Sequence, residues 1–202
     1  MSAASIVARL DRELIPKGFL RRQATWNRKQ DSWVEVINIQ VSKSGDSVTV
    51  NAGVLSQSIY AACWGRDADS FVEEPFCTVR ARVGQLLDSK DQWWDVRDEH
   101  AADEMVDCLD AAILPFVERM RSLLAMRDWL ASTGMPSVRS PLPSICFAVL
   151  QSRVGDIDDA CRVLAELERK ALGAWRTRAR EVAARIGCCR APTAALRCPA
   201  AS

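Results

Sequence analysis

The residue in this chain best placed to do unusual chemistry is Glu35. It stands in the run WVEVINIQVS, where alternation puts it on the same side as Trp33, Ile37, Ile39 and Val41. A carboxylate among apolar groups is harder to ionise, which makes Glu35 the candidate perturbed acid. The competing reading sets it at a sheet rim, paired with a cation such as Lys17 or Arg22, because acids are rarely buried unpaired.

Nucleophilic catalysis needs a serine or cysteine activated by a histidine that a carboxylate holds. His100 is the only histidine, and it stands beside Asp98 and Glu99 at an expected helix start, a setting typical of incidental surface residues. Cys188, Cys189 and Cys198 have the wrong spacing for zinc. Adjacent cysteines chelate one ion poorly, and no second pair stands two residues apart. An exposed thiol pair open to oxidation is expected instead. No phosphate-cradling glycine loop, metalloprotease pair or dinucleotide fingerprint occurs. The sequence thus assigns no catalytic residue, metal or cofactor. Carboxylate chemistry on a small molecule stays open as an alternative, and would need Glu35 to converge with Asp91 or Asp95 in a deep pocket.

A second group suits binding rather than reaction. Asn38, Gln40, Thr49 and Asn51 stand where a sheet buried on both faces would carry valines. If Val41 pairs with Val48, then Trp33, Ile37, Ile39 and Val41 share a face with Val48, Val50, Ala52 and Val54, and the four polar residues share the other. A slip by one residue would mix the two sets and forfeit roughly 1.5–3 kcal/mol per large apolar side chain. Arg80 and Arg82 join the polar face through alternation in FCTVRARVG, which sends Cys77, Val79, Ala81 and Val83 to the other side. Gly53 leaves room beside them. The simplest reading is a solvated face. The functional reading is a docking surface whose amides and guanidinium groups offer directional hydrogen bonds. Trp93 and Trp94 point to opposite faces if both lie in a strand, so one is core at most and the other is free to anchor a partner.

The elements that must position these groups are legible in the periodicity. SAASIVARLDRELIPKGF carries Ile6, Leu10 and Leu14 at helical spacing and stops at Pro16 and Gly18. RRQATWNRK and SWVEVINIQVS read as a hairpin turning at Gln30 and Asp31, and SVTVNAGVL as a third strand. An irregular acidic stretch over 60–75 follows, then a strand in FCTVRARVG and a short aromatic one around Trp93. From about Asp98 the period becomes helical, with Met105, Leu109, Ile113, Phe116, Met120 and Leu123 on one stripe that Pro115 interrupts near Leu114. Two helices meet at Gly155 and Asp156, and a last one spans about 175–186.

The expectation is one α+β domain over 1–187: an N-terminal helix, a four- to five-stranded antiparallel sheet within about 19–97, and three to four helices over about 98–187 packed on one sheet face. Residues 188–202 are expected to form a flexible tail. The formal charge of +1 gives no general argument for nucleic acid. Acids do prevail between Asp67 and Asp110, and arginines from Arg169 onward, so a nucleic-acid role through the basic C-terminus ranks third. The eight cysteines lie mostly in helical or strand contexts and read as small buried hydrophobes. No apolar run approaches the roughly 20 residues that span a bilayer, and no charged start leads into a cleavable apolar segment. A cytoplasmic protein with no membrane partner is expected.

The pieces IPKGFLRRQATWNR, WVEVINIQVSKSG, VTVNAGV, CTVRARVGQLL with DQWW, and AVLQSRVGDIDDACRVL, in this order, resemble a bacterial family known as domain of unknown function 4304. The resemblance spans most of residues 10–170. It implies a cytoplasmic α+β protein without an established activity, and it carries no catalytic residues. The expected function is therefore a non-catalytic protein-binding module, immunity- or adaptor-like, whose polar sheet face meets a protein partner such as a toxin or effector.

Overall fold

The computed structural model describes residues 2–87, 91–133 and 141–188. Helix α1, Ala3–Leu14, starts at a reciprocal cap in which the Ser2 hydroxyl accepts from the Ser5 N–H while Ser5 Oγ accepts from the Ser2 N–H. Its stripe of Ile6, Leu10 and Leu14 is fully buried. The chain then builds β1 (Leu20–Arg22), β2 (Thr25–Gln30), β3 (Trp33–Val41) and β4 (Ser47–Ser56) as an antiparallel meander. The segment expected to be one strand over RRQATWNRK is divided at Gln23, whose φ of 51° turns the chain back on itself. No glycine or asparagine announces that turn.

Two short strands share the far edge of β4: β5 (Val79–Arg82) lies beside Asn51–Val54, and β6 (Trp94–Asp95) beside Ser47–Val48. The register between β3 and β4 is the one the apolar pattern requires, with Val41 opposite Val48, Ile39 opposite Val50 and Asn38 opposite Asn51. Ile37, Ile39, Val48, Val50 and Val54 thereby gather on one face, which forms the main core with the helices, while Val41 at the strand end stays exposed.

Helix α2, Gln57–Trp64, follows β4 directly, capped by Ser56 and ended by Gly65 at φ 70°. It replaces the first part of the expected irregular stretch; eight residues are too few to show a period. After β5 the chain makes a single helical turn, α3 (Val83–Leu86), then β6. The helical half begins with α4 (Ala101–Cys108), passes through a π-helical turn over Leu109–Ile113, and continues as α5 (Leu114–Arg119) and α6 (Leu123–Ser132). The π turn is where the expected break at Pro115 is absorbed: a wider turn just before the proline accommodates the missing N–H. Met105, Leu109, Ile113, Phe116 and Met120 are all buried.

Helices α7 (Leu142–Arg153), α8 (Ile157–Lys170) and α9 (Ala174–Arg185) complete the fold, with Gly155 at φ 98° between the first two. A disulfide joins Cys161 of α8 to Cys188 beyond α9, across 5.5 Å between Cα atoms. This corrects two expectations, that Cys161 is a free buried thiol and that Cys188 opens a flexible tail with an exposed thiol. The α8–α9 hairpin brings the two together although 27 positions separate them. Cys189 and Cys198 lie outside the described residues. Among the described residues no helix is long and apolar enough to cross a membrane.

Candidate functional site

The polar face of the sheet is less open than its composition suggests. At one end it carries Val34, Val36 and Leu55, and these form a second small core with Tyr60, Val72 and Cys77. Asn27 of β2 clamps the covering segment to the sheet: its side chain donates to the Val72 carbonyl (3.0 Å) and accepts from the Val72 N–H (2.6 Å). At the other end Thr49 is fully buried and donates to the Gln92 carbonyl at 2.7 Å, while Asn51 keeps only 7% of its surface exposed. The expectation of an uncovered face is thus corrected. The chain's own 66–78 and 91–93 segments lie over it, and only Gln40 of the four polar residues remains exposed.

Gly53 leaves no room for a ligand either. A Cβ there would lie 2.7 Å from Cys77 Cβ, so the thiol fills the space. Cys77 reaches this face, and not the apolar one, because it precedes β5 and follows a 3-10 turn over Glu74–Phe76, where strand parity does not extend. Val79, Ala81 and Val83 do lie in the main core.

The polar side chains converge on Arg82. Its Nε donates to Asn51 Oδ1 (3.3 Å), Nη2 to Gln40 Oε1 (3.2 Å) and Nη1 to Asp91 Oδ2 (2.6 Å). Asn51 Nδ2 donates to the same Gln40 oxygen (3.1 Å), and Asn38 Nδ2 to Thr25 Oγ1 (2.9 Å). Trp93 Nε1 donates to Asp91 (3.1 Å), and its ring lies 5.4 Å from the Arg82 guanidinium carbon. The Arg82 and Trp93 bonds hold the Asp91 carboxyl below the usual carboxylate range. Arg82 is therefore the hub of a satisfied network; Thr25, bonded to Asn38, is a member the sequence pattern missed, and it missed Asn27 as the clamp on Val72.

Arg80 stands differently. Its Nε and Nη2 form a side-on pair with Glu74 at 2.6 and 2.8 Å, and Glu74 is 95% buried while Arg80 is half exposed. Burial opposes the arginine's charge, but the bonds to Glu74 outweigh it and raise the Arg80 pKa. Arg80 Nη1 donates to nothing among the described residues. Two concavities meet at this side chain. One, of about 490 Å³, is polar and lined by Asn51, Glu74, Arg80, Arg82, Gln85 and Asp91. The other, of about 320 Å³, runs from Arg80 and Gln85 to an apolar wall of Trp129, Leu130, Leu142 and Pro143.

Glu35 is fully buried, as its place on the apolar face predicts, and it is doubly paired. Arg28 Nε donates to it at 2.5 Å and Arg121 Nε at 2.7 Å, while Glu118 approaches both arginines at 3.5 and 3.6 Å. Neither Lys17 nor Arg22 is the partner. Arg28 lies directly opposite Glu35 in the β2–β3 ladder, so the hairpin itself delivers the guanidinium. Glu35 does not converge with Asp91, which serves the other sheet face, nor with Asp95. Glu35 lies opposite Val54, and Asp95 opposite Ser47, roughly 23 Å away along β4 at the rise of an extended strand.

Trp94 is buried in β6 and donates to Glu104 (2.9 Å), whereas Trp93 lies just before the strand, half-buried at the rim of the Arg82 network. His100 is exposed beside Glu99 at the start of α4. Among the described residues no three His, Cys, Asp or Glu side chains gather as metal ligands. The basic C-terminal helix is committed internally: Arg178 and Arg185 donate to the carbonyls of Ala62, Cys63 and Trp64 that end α2, and Arg180 pairs with Glu168.

Neither the curated proteins nor the solved structures yield a match to this chain. One family model does match, over residues 10–119, a stretch running from the middle of α1 to the end of α5. AVLQSRVGDIDDACRVL, counted above among the resembling pieces, lies beyond it. With more than half its length matched, the chain belongs to the family described as "Domain of unknown function (DUF4304)".

Proposed function

We propose that this protein is a non-catalytic binding module that receives a protein partner at the polar concavity beside β5. The observation that carries this reading is the convergence of Arg80, Arg82, Asn51, Gln85 and Asp91 on one open space, several of them held in place by bonds to one another. Groups fixed before binding lose little conformational freedom when a partner docks, and planar amides and guanidinium groups give it direction. Trp93, half-buried on the same network, is the kind of anchor that concentrates binding energy. A toxin or effector of a bacterial cell is the partner class proposed, in an immunity- or adaptor-like role, and the bacterial cytoplasm is the setting.

The test is affinity capture from the native host, followed by reconstitution with the purified partner. Asp91→Lys combined with Trp93→Ala alters the lip of the concavity without touching the core. A partner bound by the wild type and released at least tenfold faster by this variant supports the reading. A partner held equally by both, with circular dichroism showing both folded, removes it.

A further inference from the structure

We infer that the groove centred on Arg80 takes the C-terminal residue of a partner polypeptide, its α-carboxylate on the Arg80 guanidinium and its apolar side chain against Trp129, Leu130 and Leu142. The inference rests on the binding-module reading above and names what that module grips. The Arg82 nitrogens are engaged by Asn51, Gln40 and Asp91, whereas Arg80 is held side-on by Glu74 and, among the described residues, keeps Nη1 and its end-on edge available. A guanidinium so oriented is shaped for bidentate contact with a second carboxylate. Burial of Glu74 fixes the fork; the half exposure of Arg80 leaves its tip accessible.

The two concavities determine what accompanies the carboxylate. On one side of Arg80 lies the space of about 320 Å³, whose wall of Trp129, Leu130 and Leu142 has room for one aliphatic or aromatic side chain. On the other lies the polar space of about 490 Å³, where Gln85 and Asp91 can meet the peptide groups of the preceding residues. Apolar body, carboxylate and peptide backbone within one residue of each other describe a chain terminus.

The edge of the sheet argues for an end rather than a passing strand. The outward carbonyl of Arg80 accepts from Trp129 Nε1 at 3.1 Å, and the outward N–H of Arg82 donates to Gln85 Oε1 at 2.8 Å. Two of the outward groups through which a strand added to β5 would pair are thus already occupied. An internal acidic residue would have to lay its main chain along that closed edge; a terminus need not.

The experiment titrates the intact protein with N-acetyl-Ala-Leu, with its C-terminal amide and with hexanoate, following the indole ¹⁵N–¹H signal of Trp129, assigned through Trp129→Phe. The free acid is expected to shift that signal and to bind at least tenfold more tightly than the amide or hexanoate. Because Arg80→Met alone would strand the buried Glu74, the variant used is Arg80→Met with Glu74→Gln, which is expected to bind acid and amide equally. Equal binding of acid and amide by the wild type, or discrimination retained by the double variant, overturns the inference. Hexanoate binding as tightly as the peptide also overturns it, by removing the polypeptide from the assignment. A cellular partner lost on Asp91→Lys with Trp93→Ala but indifferent to the double variant sinks this inference and leaves the binding-module reading standing.

Discussion

The sulfur of Cys77 rests on the backbone of β4 at Gly53, so that a Cβ added there would come within 2.7 Å of it. Cys77 is buried and belongs to the small core with Val34, Val36 and Leu55, and cannot retreat without displacing them. Gly53→Ala is therefore expected to destabilise the fold by about 1–3 kcal/mol, the usual range for overpacking. The urea midpoint measures it. Adding Cys77→Gly to Gly53→Ala should recover part of the loss, and a midpoint unchanged by Gly53→Ala would refute the steric account.

Glu35 is held at zero exposure between two arginines. Removing one member of a buried ionic cluster leaves uncompensated charge, so Glu35→Gln is expected to cost about 3–5 kcal/mol. Arg121→Met should cost less, because Arg121 is 31% exposed and Glu35 keeps Arg28. Replacing Arg28, Glu35 and Arg121 together by methionine should restore most of the stability. Denaturant unfolding of the three variants orders these effects.

The Cys161–Cys188 bridge closes a loop across 27 positions. Chain entropy assigns such a loop about 3.5 kcal/mol. Dithiothreitol, or Cys188→Ser, should lower the melting temperature and raise hydrogen exchange first in α9. Disulfides of this kind persist in oxidising compartments and are rare in cytosol. Thiol alkylation in fresh cell extract, read by mass spectrometry, therefore bears directly on the cytoplasmic setting proposed here.

Asp95 accepts from the Arg97 side chain and backbone, which lowers its carboxyl pKa to about 2. A carboxyl depressed in the folded state contributes stability that is present above its ordinary pKa near 3.8 and lost as pH falls towards 2. Carbon-detected NMR titration should place Asp95 near 2 in the wild type and closer to the ordinary value in Arg97→Ala. Unshifted titration in that variant would show that Arg97 is not the cause.

The sheet was legible because the β3–β4 register follows from sorting valines from amides, which a slip by one residue would mix. The Arg28–Glu35 pair was missed by one position: a turn at Gln30 and Asp31, as expected, would set Arg28 opposite Trp33, whereas the turn lies at Asp31 and Ser32 and sets it opposite Glu35. What lay beyond reach were facts of long range. Nothing near Asn51 or Thr49 in sequence reports that Gln92 and Arg82 fold over them. Nor does local pattern show that Cys77 leaves its parity, because that depends on where β5 begins. The second guanidinium on Glu35 comes from 86 positions away, and the Cys161–Cys188 bridge from the docking of one helix on another.

The matched stretch of residues 10–119 stops short of several groups that finish it. Arg121 neutralises an acid inside it, and Arg178 and Arg185 satisfy the open carbonyls where α2 ends. Cut at residue 119, the polypeptide would keep Glu35 with a single cation and α2 with bare peptide oxygens. The boundary drawn by shared sequence is thus not a line along which this molecule can be divided: the helices that follow act as an obligatory lid on the part that resembles its kin.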